Sequence, residues 1–238
     1  MRNRIINLGV VAEIAQALGD LNQSVVFVGG AVIGLYADDP AADEVRPTQD
    51  VDLTLKLLDF NQRELDTKLA EREFYPDIQG HTICTYKYND IAVDIMASTD
   101  SMRGPTNRWY SIGFDSIQQI QFEGVLIQIL SAACYLATKF EAYNHRGNGD
   151  YRTSHDFEDI IYVIDNRTTI VEEVRVLVWN THSHLRPTPA LHGRQTNSRF
   201  ILLDSTDRRS LDVDIHVVFI LPIMNRSRGA VGHMLQVY

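Results

Sequence analysis

The chain has 238 residues, with 45% hydrophobic and 22% charged side chains, the make-up of an ordinary globular protein long enough for one large domain or two small ones. Its formal net charge of −9 argues against broad nonspecific adhesion to nucleic acid or anionic membrane, while leaving room for a local basic groove. Cys84 and Cys134 are far apart and without CxxC spacing, which argues against a disulfide framework or zinc site and points to a reducing cytoplasm.

Residues 4–19 are predicted as an amphipathic helix, since Ile5, Ile6, Val10, Ile14 and Leu18 recur at helical spacing. The N-terminus is basic at Arg2 and Arg4, but Glu13 interrupts the apolar stretch, so neither a signal peptide nor a membrane span is expected. Val25–Val28 is a short buried strand stopped by Gly29-Gly30, and Ala31 to Ala37 continues as a helix. A polar loop from Asp38 to Pro47 leads to a second strand, Val51 to Leu55, with Asp50 at its start. Residues 61–73 read as a surface helix. Thr82–Tyr86 and Ile91–Met96 flank a Tyr88-Asn89-Asp90 turn, and Ile117–Gln121 and Val125–Ile129 flank Glu123-Gly124, giving two hairpins.

From Leu130 the period becomes helical. One helix carries Ala133, Leu136, Ala137 and Phe140, another Phe157, Ile160, Ile161 and Ile164, and a third Val171, Val174 and Val178. The expected organisation is an α/β (α+β) core over 1–129, a helical region over 130–179, and an atypical segment over 180–238. That last segment has no lysine or glutamate, seven arginines against four aspartates in 181–238, and five of the eight histidines. It is read as out of frame or poorly ordered rather than as a basic tail contacting RNA, because losing Lys and Glu while gaining Arg and His is a codon-level pattern. Strands at Arg199–Asp204 and Leu211–Ile223 are expected if it is native sequence.

The chemistry concentrates earlier. Side chains alternate along a strand, so Asp50 and Asp52 point the same way, with Cα atoms roughly 6.5–7 Å apart. Two carboxylates that close repel unless a cation sits between them. Hard oxygen ligands favour Mg²⁺, which also binds triphosphate oxygens, and two such ions can hold the attacking and leaving oxygens of an in-line displacement. Asp94 lies within the apolar run Ile91–Met96, where an adjacent strand can bring a third carboxylate as ligand or base. Gly29 and Gly30 let backbone approach a phosphate, Thr48 offers a hydroxyl donor, and Arg46 adds charge. Asp212-Val213-Asp214 repeats the acidic spacing without an upstream glycine turn or threonine.

These residues resemble the nucleotidyltransferase superfamily related to DNA polymerase beta. More closely, Val28-Gly29-Gly30-Ala31 followed by Arg46-Pro47-Thr48-Gln49-Asp50-Val51-Asp52-Leu53 resembles the AbiEii/AbiGii toxin-like branch, which pairs a GG turn with an R-x-T-x-D-[VI]-D-L segment. The resemblance covers roughly residues 20–170. It implies a small mixed β-sheet flanked by helices and followed by a helical region, with metals on Asp50, Asp52 and Asp94. It also implies a triphosphate-binding lysine at Lys139 on the first helix after the sheet, and an acid that orients it at Asp156, with Asp159 as the alternate. His155 stands where the family often has lysine, and Tyr143 and Arg146, one and two turns beyond Lys139, are placed either to line the same cleft or to face solvent.

The activity so implied is Mg²⁺-dependent transfer of a nucleoside monophosphate from an NTP to a hydroxyl of tRNA or protein, in a cytoplasmic toxin–antitoxin or phage-defence setting with a cognate antitoxin and no membrane partner. Two alternatives are nucleotidylation of a small molecule such as an antibiotic, and a non-catalytic nucleotide-binding partner protein.

Overall fold

The structure is a computed structural model that describes residues 6–42, 44–55, 62–80, 82–98, 107–146 and 151–184. The chain divides into two compact units, Met1–Thr168 and Thr169–Tyr238. The strands expected at 199–204 and 211–223, and nearly all of the atypical segment from 180, lie outside the described residues.

The first unit is built on a seven-stranded mixed sheet. Its strands are β1 (Val25–Val28), β2 (Asp50–Leu55), β3 (Tyr75–Pro76), β4 (Thr85–Tyr88), β5 (Ile91–Ala97), β6 (Gln118–Phe122) and β7 (Val125–Ile129), ordered β3-β4-β5-β2-β1-β7-β6. β1 lies antiparallel to β2 and parallel to β7, and β2 lies parallel to β5. The Val-Val-Phe-Val run of β1 is buried throughout, as a central strand covered on both faces requires. β2 alternates partly exposed Asp50 and Asp52 with fully buried Val51 and Leu53, so one face of this strand is polar and the other is core. Both predicted hairpins form. Asn89 (φ 53°) turns the first, and Glu123 (φ 49°) with Gly124 (φ 82°) turns the second.

Helices α1 (Leu8–Leu18), α2 (Gln62–Ala70), α3 (Arg108–Gly113), α4 (Ala132–Arg146) and α5 (His155–Asn166) complete the unit. The first helix begins later than its periodicity suggests: Asn7 caps it by accepting from the Val10 amide at 3.1 Å, and Ile6 instead bridges to Thr48. The helix expected after Gly29 is of the 3₁₀ type and spans Gly30–Tyr36. α3 was not anticipated; it starts at Asn107, whose side chain accepts from the Trp109 amide at 3.0 Å.

α4 buries nine consecutive residues, Ala132 to Phe140, and packs against α5. α5 is amphipathic, with Ile160, Val163 and Ile164 buried. Ser154 Oγ accepts from the Phe157 amide at 3.3 Å and sets where this helix starts. Ser154→Ala is expected to lower unfolding free energy by about 1 kcal/mol, read from the urea midpoint at unchanged m-value.

The described part of the second unit is α6, Ile170–His184. Glu172 and Glu173 lie in its first turn, where the helix dipole favours negative charge, and Thr169 Oγ1 donates to Glu173 at 2.6 Å. No helix among the described residues is long and apolar enough to cross a membrane.

Candidate active site

Register brings the acidic residues together. On parallel β2 and β5, Asp52 is the partner of Asp94, and Asp50 the partner of Ala92. Partners on neighbouring strands project to the same face about 4.8 Å apart, so the three aspartates share one side of the sheet. The same row continues to Thr85 on β4, the partner of Asp94, and to Val28 on β1, the partner of Asp52. Thr85 Oγ1 donates to Asp94 Oδ1 at 2.7 Å, and Asp94 is buried. Thr48 Oγ1 donates to Asp50 Oδ1 at 3.1 Å. The hydroxyl expected to face a phosphate is therefore turned to the neighbouring carboxylate. Among the described residues no three His, Cys, Asp or Glu side chains stand close enough to hold a metal ion as placed. Both outer carboxylates accept from flanking threonines, and Asp52 lies between them.

Asp52 carries the electrostatic load of this row. Burial, then the negative charge of Asp50, push its carboxyl up to about 7, with Lys139 pulling the other way and Asp94 adding to the rise. Gly29 lies directly over it. Gly29 has φ 71° and ψ −165°, and a Cβ placed there falls 1.8 Å from Asp52 Oδ2. Only glycine occupies that backbone region readily, and only a residue without a side chain lets the turn lie against the carboxylate.

The opposite wall comes from α4 and α5. Lys139 is buried, with Nζ 2.6 Å from Asp159 Oδ2 and 3.4 Å from Asp156 Oδ1. The shorter contact is an ion pair out of line for a hydrogen bond, since Asp159 Oδ2 has no hydrogen-bond partner. Lys139 thus donates its hydrogen bond to Asp156 at 3.4 Å, while Asp159, one turn further along α5, is the nearer counter-charge. Asp156 also holds Arg146, accepting from Nε at 2.7 Å and Nη2 at 2.9 Å. Burial opposes ionisation of Asp156, but the Arg146 hydrogen bonds and the Lys139 charge outweigh it and hold the carboxyl below its usual range. Arg46 reaches the same buried acid from the loop before β2, with Nη2 3.0 Å from Asp159 Oδ1. Asp159 therefore sits between both cations expected at the phosphates. His155 is exposed, and the Tyr143 ring packs on Phe157 with centroids 5.4 Å apart.

A cavity of about 360 Å³ brings Gly29, Asp52, Lys139 and Asp156 together. Gly30, Arg46 and Thr48 line a different cavity of about 450 Å³, beside Asn7 to Gly9 at the start of α1. Asp50 and Asp94 flank Asp52 on the sheet. The first cavity is lined by Arg146, as its place beyond Lys139 on the helix suggests, and by residues the sequence does not point to: Met96, Asn107, Tyr110, Thr138, Glu141, Ala142 and His145. Thr138, Glu141 and Ala142 lie on α4 within a turn of Lys139, and that spacing was the available signal for them. Met96 follows Asp94 by two and so shares its face of β5. Asn107 and Tyr110 belong to α3, which carries too little periodicity to be read.

No protein-family model matches the chain, and no curated protein matches it. Among solved structures it is similar to an antigenic nucleotidyltransferase-like protein from Paracoccidioides brasiliensis, at 23% identity and a TM-score of 0.48, over 74% of this chain and 87% of that one. It is also similar to the antibiotic-resistance factor ANT(2'')-Ia in solution, at 16% identity and a TM-score of 0.46, over 74% of this chain and 93% of that one. The crystal structure of ANT(2'')-Ia in complex with adenylyl-2''-tobramycin aligns at 14% identity and a TM-score of 0.45, over 75% of this chain and 98% of that one.

Proposed function

We propose that this chain is a Mg²⁺-dependent nucleotidyltransferase that moves a nucleoside monophosphate from an NTP to a hydroxyl, with tRNA or protein as acceptor. The observation that carries the reading is Asp52 beside Asp94 and two residues from Asp50 on one face, opening on a cavity whose far wall bears Lys139 and Arg146. Hard oxygen donors and an acid raised to about 7 by burial and by its acidic neighbours fit a divalent cation, because the cation replaces the missing counter-charge. Asp50 and Asp52 would hold it, with Asp94 completing the set. Mg²⁺, when bound, neutralises phosphate charge and stabilises the oxygens of the displacement.

The protein's own part is positioning and charge. Lys139 faces the triphosphate from α4 as a point charge, and Asp159 holds it there. Asp94 takes the proton of the acceptor hydroxyl as its oxygen bonds to the α-phosphorus. The bond from that phosphorus to the β-phosphate oxygen breaks, and pyrophosphate leaves. A cognate antitoxin and a cytoplasmic setting belong to this same reading.

The test supplies each labelled NTP in turn with deacylated tRNA, a protein extract or an aminoglycoside panel. Label is expected on tRNA or protein in Mg²⁺, falling by more than about a thousandfold with excess EDTA and returning on addition of Mg²⁺. Label on an aminoglycoside instead favours a small-molecule acceptor. Nucleotide binding without transfer to any acceptor overturns the enzyme reading in favour of a nucleotide-binding partner protein.

A further inference from the structure

Tyr135 is wholly buried on α4, and its hydroxyl donates to the Gly29 carbonyl at 3.0 Å, joining residues 106 apart in sequence. Gly29 is the residue whose backbone lies against the Asp52 carboxylate. One turn further along the same helix, Lys139 Nζ stands 5.6 Å from the centroid of the Tyr135 ring, within the range of a cation–π contact. The tyrosine thus touches both walls of the cavity, its hydroxyl on the glycine turn and its ring under the lysine. The ring itself packs on Tyr36 in a tilted pair, with centroids 4.4 Å apart and planes at 31°. Tyr36 donates its own hydroxyl elsewhere, to the Leu130 carbonyl at 3.1 Å. Two fully buried tyrosines packed ring against ring therefore make equivalent backbone hydrogen bonds, only one of which ends at the glycine turn.

We propose that Tyr135 is a positioning residue that holds the Gly29 turn against Asp52 and ties that turn to the helix bearing Lys139. Burial, then the Asp159 charge, raise the Tyr135 phenol well above its ordinary range, so it remains a donor throughout the working pH range of such an enzyme.

Tyr135→Phe keeps the ring, its packing on Tyr36 and the contact with Lys139 while removing the hydrogen bond. Tyr36→Phe removes the equivalent bond from the same pair and leaves the turn alone, so it controls for a general loss of core hydrogen bonding. Native-state amide hydrogen exchange across residues 29–31 is expected to accelerate about tenfold in Tyr135→Phe and to be unchanged in Tyr36→Phe, reading the positioning role without any activity. The kinetic arm rests on the nucleotidyl-transfer reading: kcat is expected to fall about tenfold in Tyr135→Phe with KM for the NTP within about twofold, and Tyr36→Phe is expected to retain wild-type kcat. Unchanged exchange at the turn in Tyr135→Phe, or equal acceleration in both variants, overturns the inference. A wild-type protein that transfers nothing overturns the transfer reading and leaves the exchange result to decide the role of Tyr135.

Discussion

Asp52→Asn is expected to lower kcat for nucleotidyl transfer by at least about a thousandfold while making the folded protein more stable at pH 8. The two effects have one cause. The amide keeps the shape of the carboxylate but carries no charge to bind a divalent cation, so the transfer step loses its metal. The same change removes a negative charge from a place where burial, Asp50 and Asp94 all resist it. The sign follows from proton linkage. The folded-state value of about 7 lies above the unfolded value of 3.8. Between these values the native protein keeps a proton that the unfolded chain has lost, so stability falls as pH rises from about 4 to about 7 and levels off above. The stability lost across that window is about 2 kcal/mol, the partly exposed carboxylate keeping some of its hydration. Urea unfolding in EDTA at pH 5 and pH 8 should show this loss in wild type and its absence in Asp52→Asn. Added Mg²⁺ should flatten the wild-type slope by binding the ionised form. A variant that stays active rules out a metal-ligand role for this carboxylate. A variant equally unstable at both pH values, and below wild type at pH 8, rules out the electrostatic account.

The carboxylate row was half legible. Alternation along Asp50-Val51-Asp52 already places two acids on one face, because that is a property of a single strand. That β5 lies directly beside β2, with Asp94 level with Asp52, is a pairing across 42 residues that no local period encodes. Thr48, two residues from Asp50, donates to that carboxylate, a local contact that short sequence separation favours.

The helical wall was harder for a different reason. α4 is buried on every side from Ala132 to Phe140, so periodicity cannot single out Tyr135 or distinguish Lys139 from a surface lysine. Asp156 and Asp159 are three apart and share a face of α5, so spacing alone cannot say which meets Lys139. The relative placement of α4 and α5 decides it: Lys139 meets both acids, Asp159 at the shorter distance, and Asp156 also holds Arg146. α3 was missed because six residues hold too few turns for a pattern; its only signal was Asn107, a capping residue ahead of Trp109 and Tyr110.

Gly29→Ala is the second change of large expected effect, and it tests the approach of turn to carboxylate directly. A backbone at φ 71°, ψ −165° costs an alanine roughly 1–3 kcal/mol before any contact is considered. The added methyl then meets Asp52 Oδ2 at 1.8 Å, Cγ at 2.6 Å and Cβ at 2.8 Å. Turning the carboxylate away clears the first two atoms but leaves the third, which is fixed by β2, so the turn must move off the strand. That breaks the geometry next to the Val28–Asp52 pair and pulls Gly29 away from the Tyr135 hydroxyl. A loss of about 3 kcal/mol or more in unfolding free energy is expected, with no measurable transfer. Gly30→Ala is the matched contrast, since its Cβ comes no closer than 3.2 Å to the end of the flexible Arg46 side chain and its φ is outside the left-handed region; it should cost less than about 1 kcal/mol. The clash and the strain separate in a double-mutant cycle. Asp52→Gly in the Gly29→Ala background removes all three clashing atoms, so the two changes should be coupled favourably by about 1–2 kcal/mol. Strict additivity in that cycle means the glycine is required for its backbone angles alone, and the contact with Asp52 has no energetic weight.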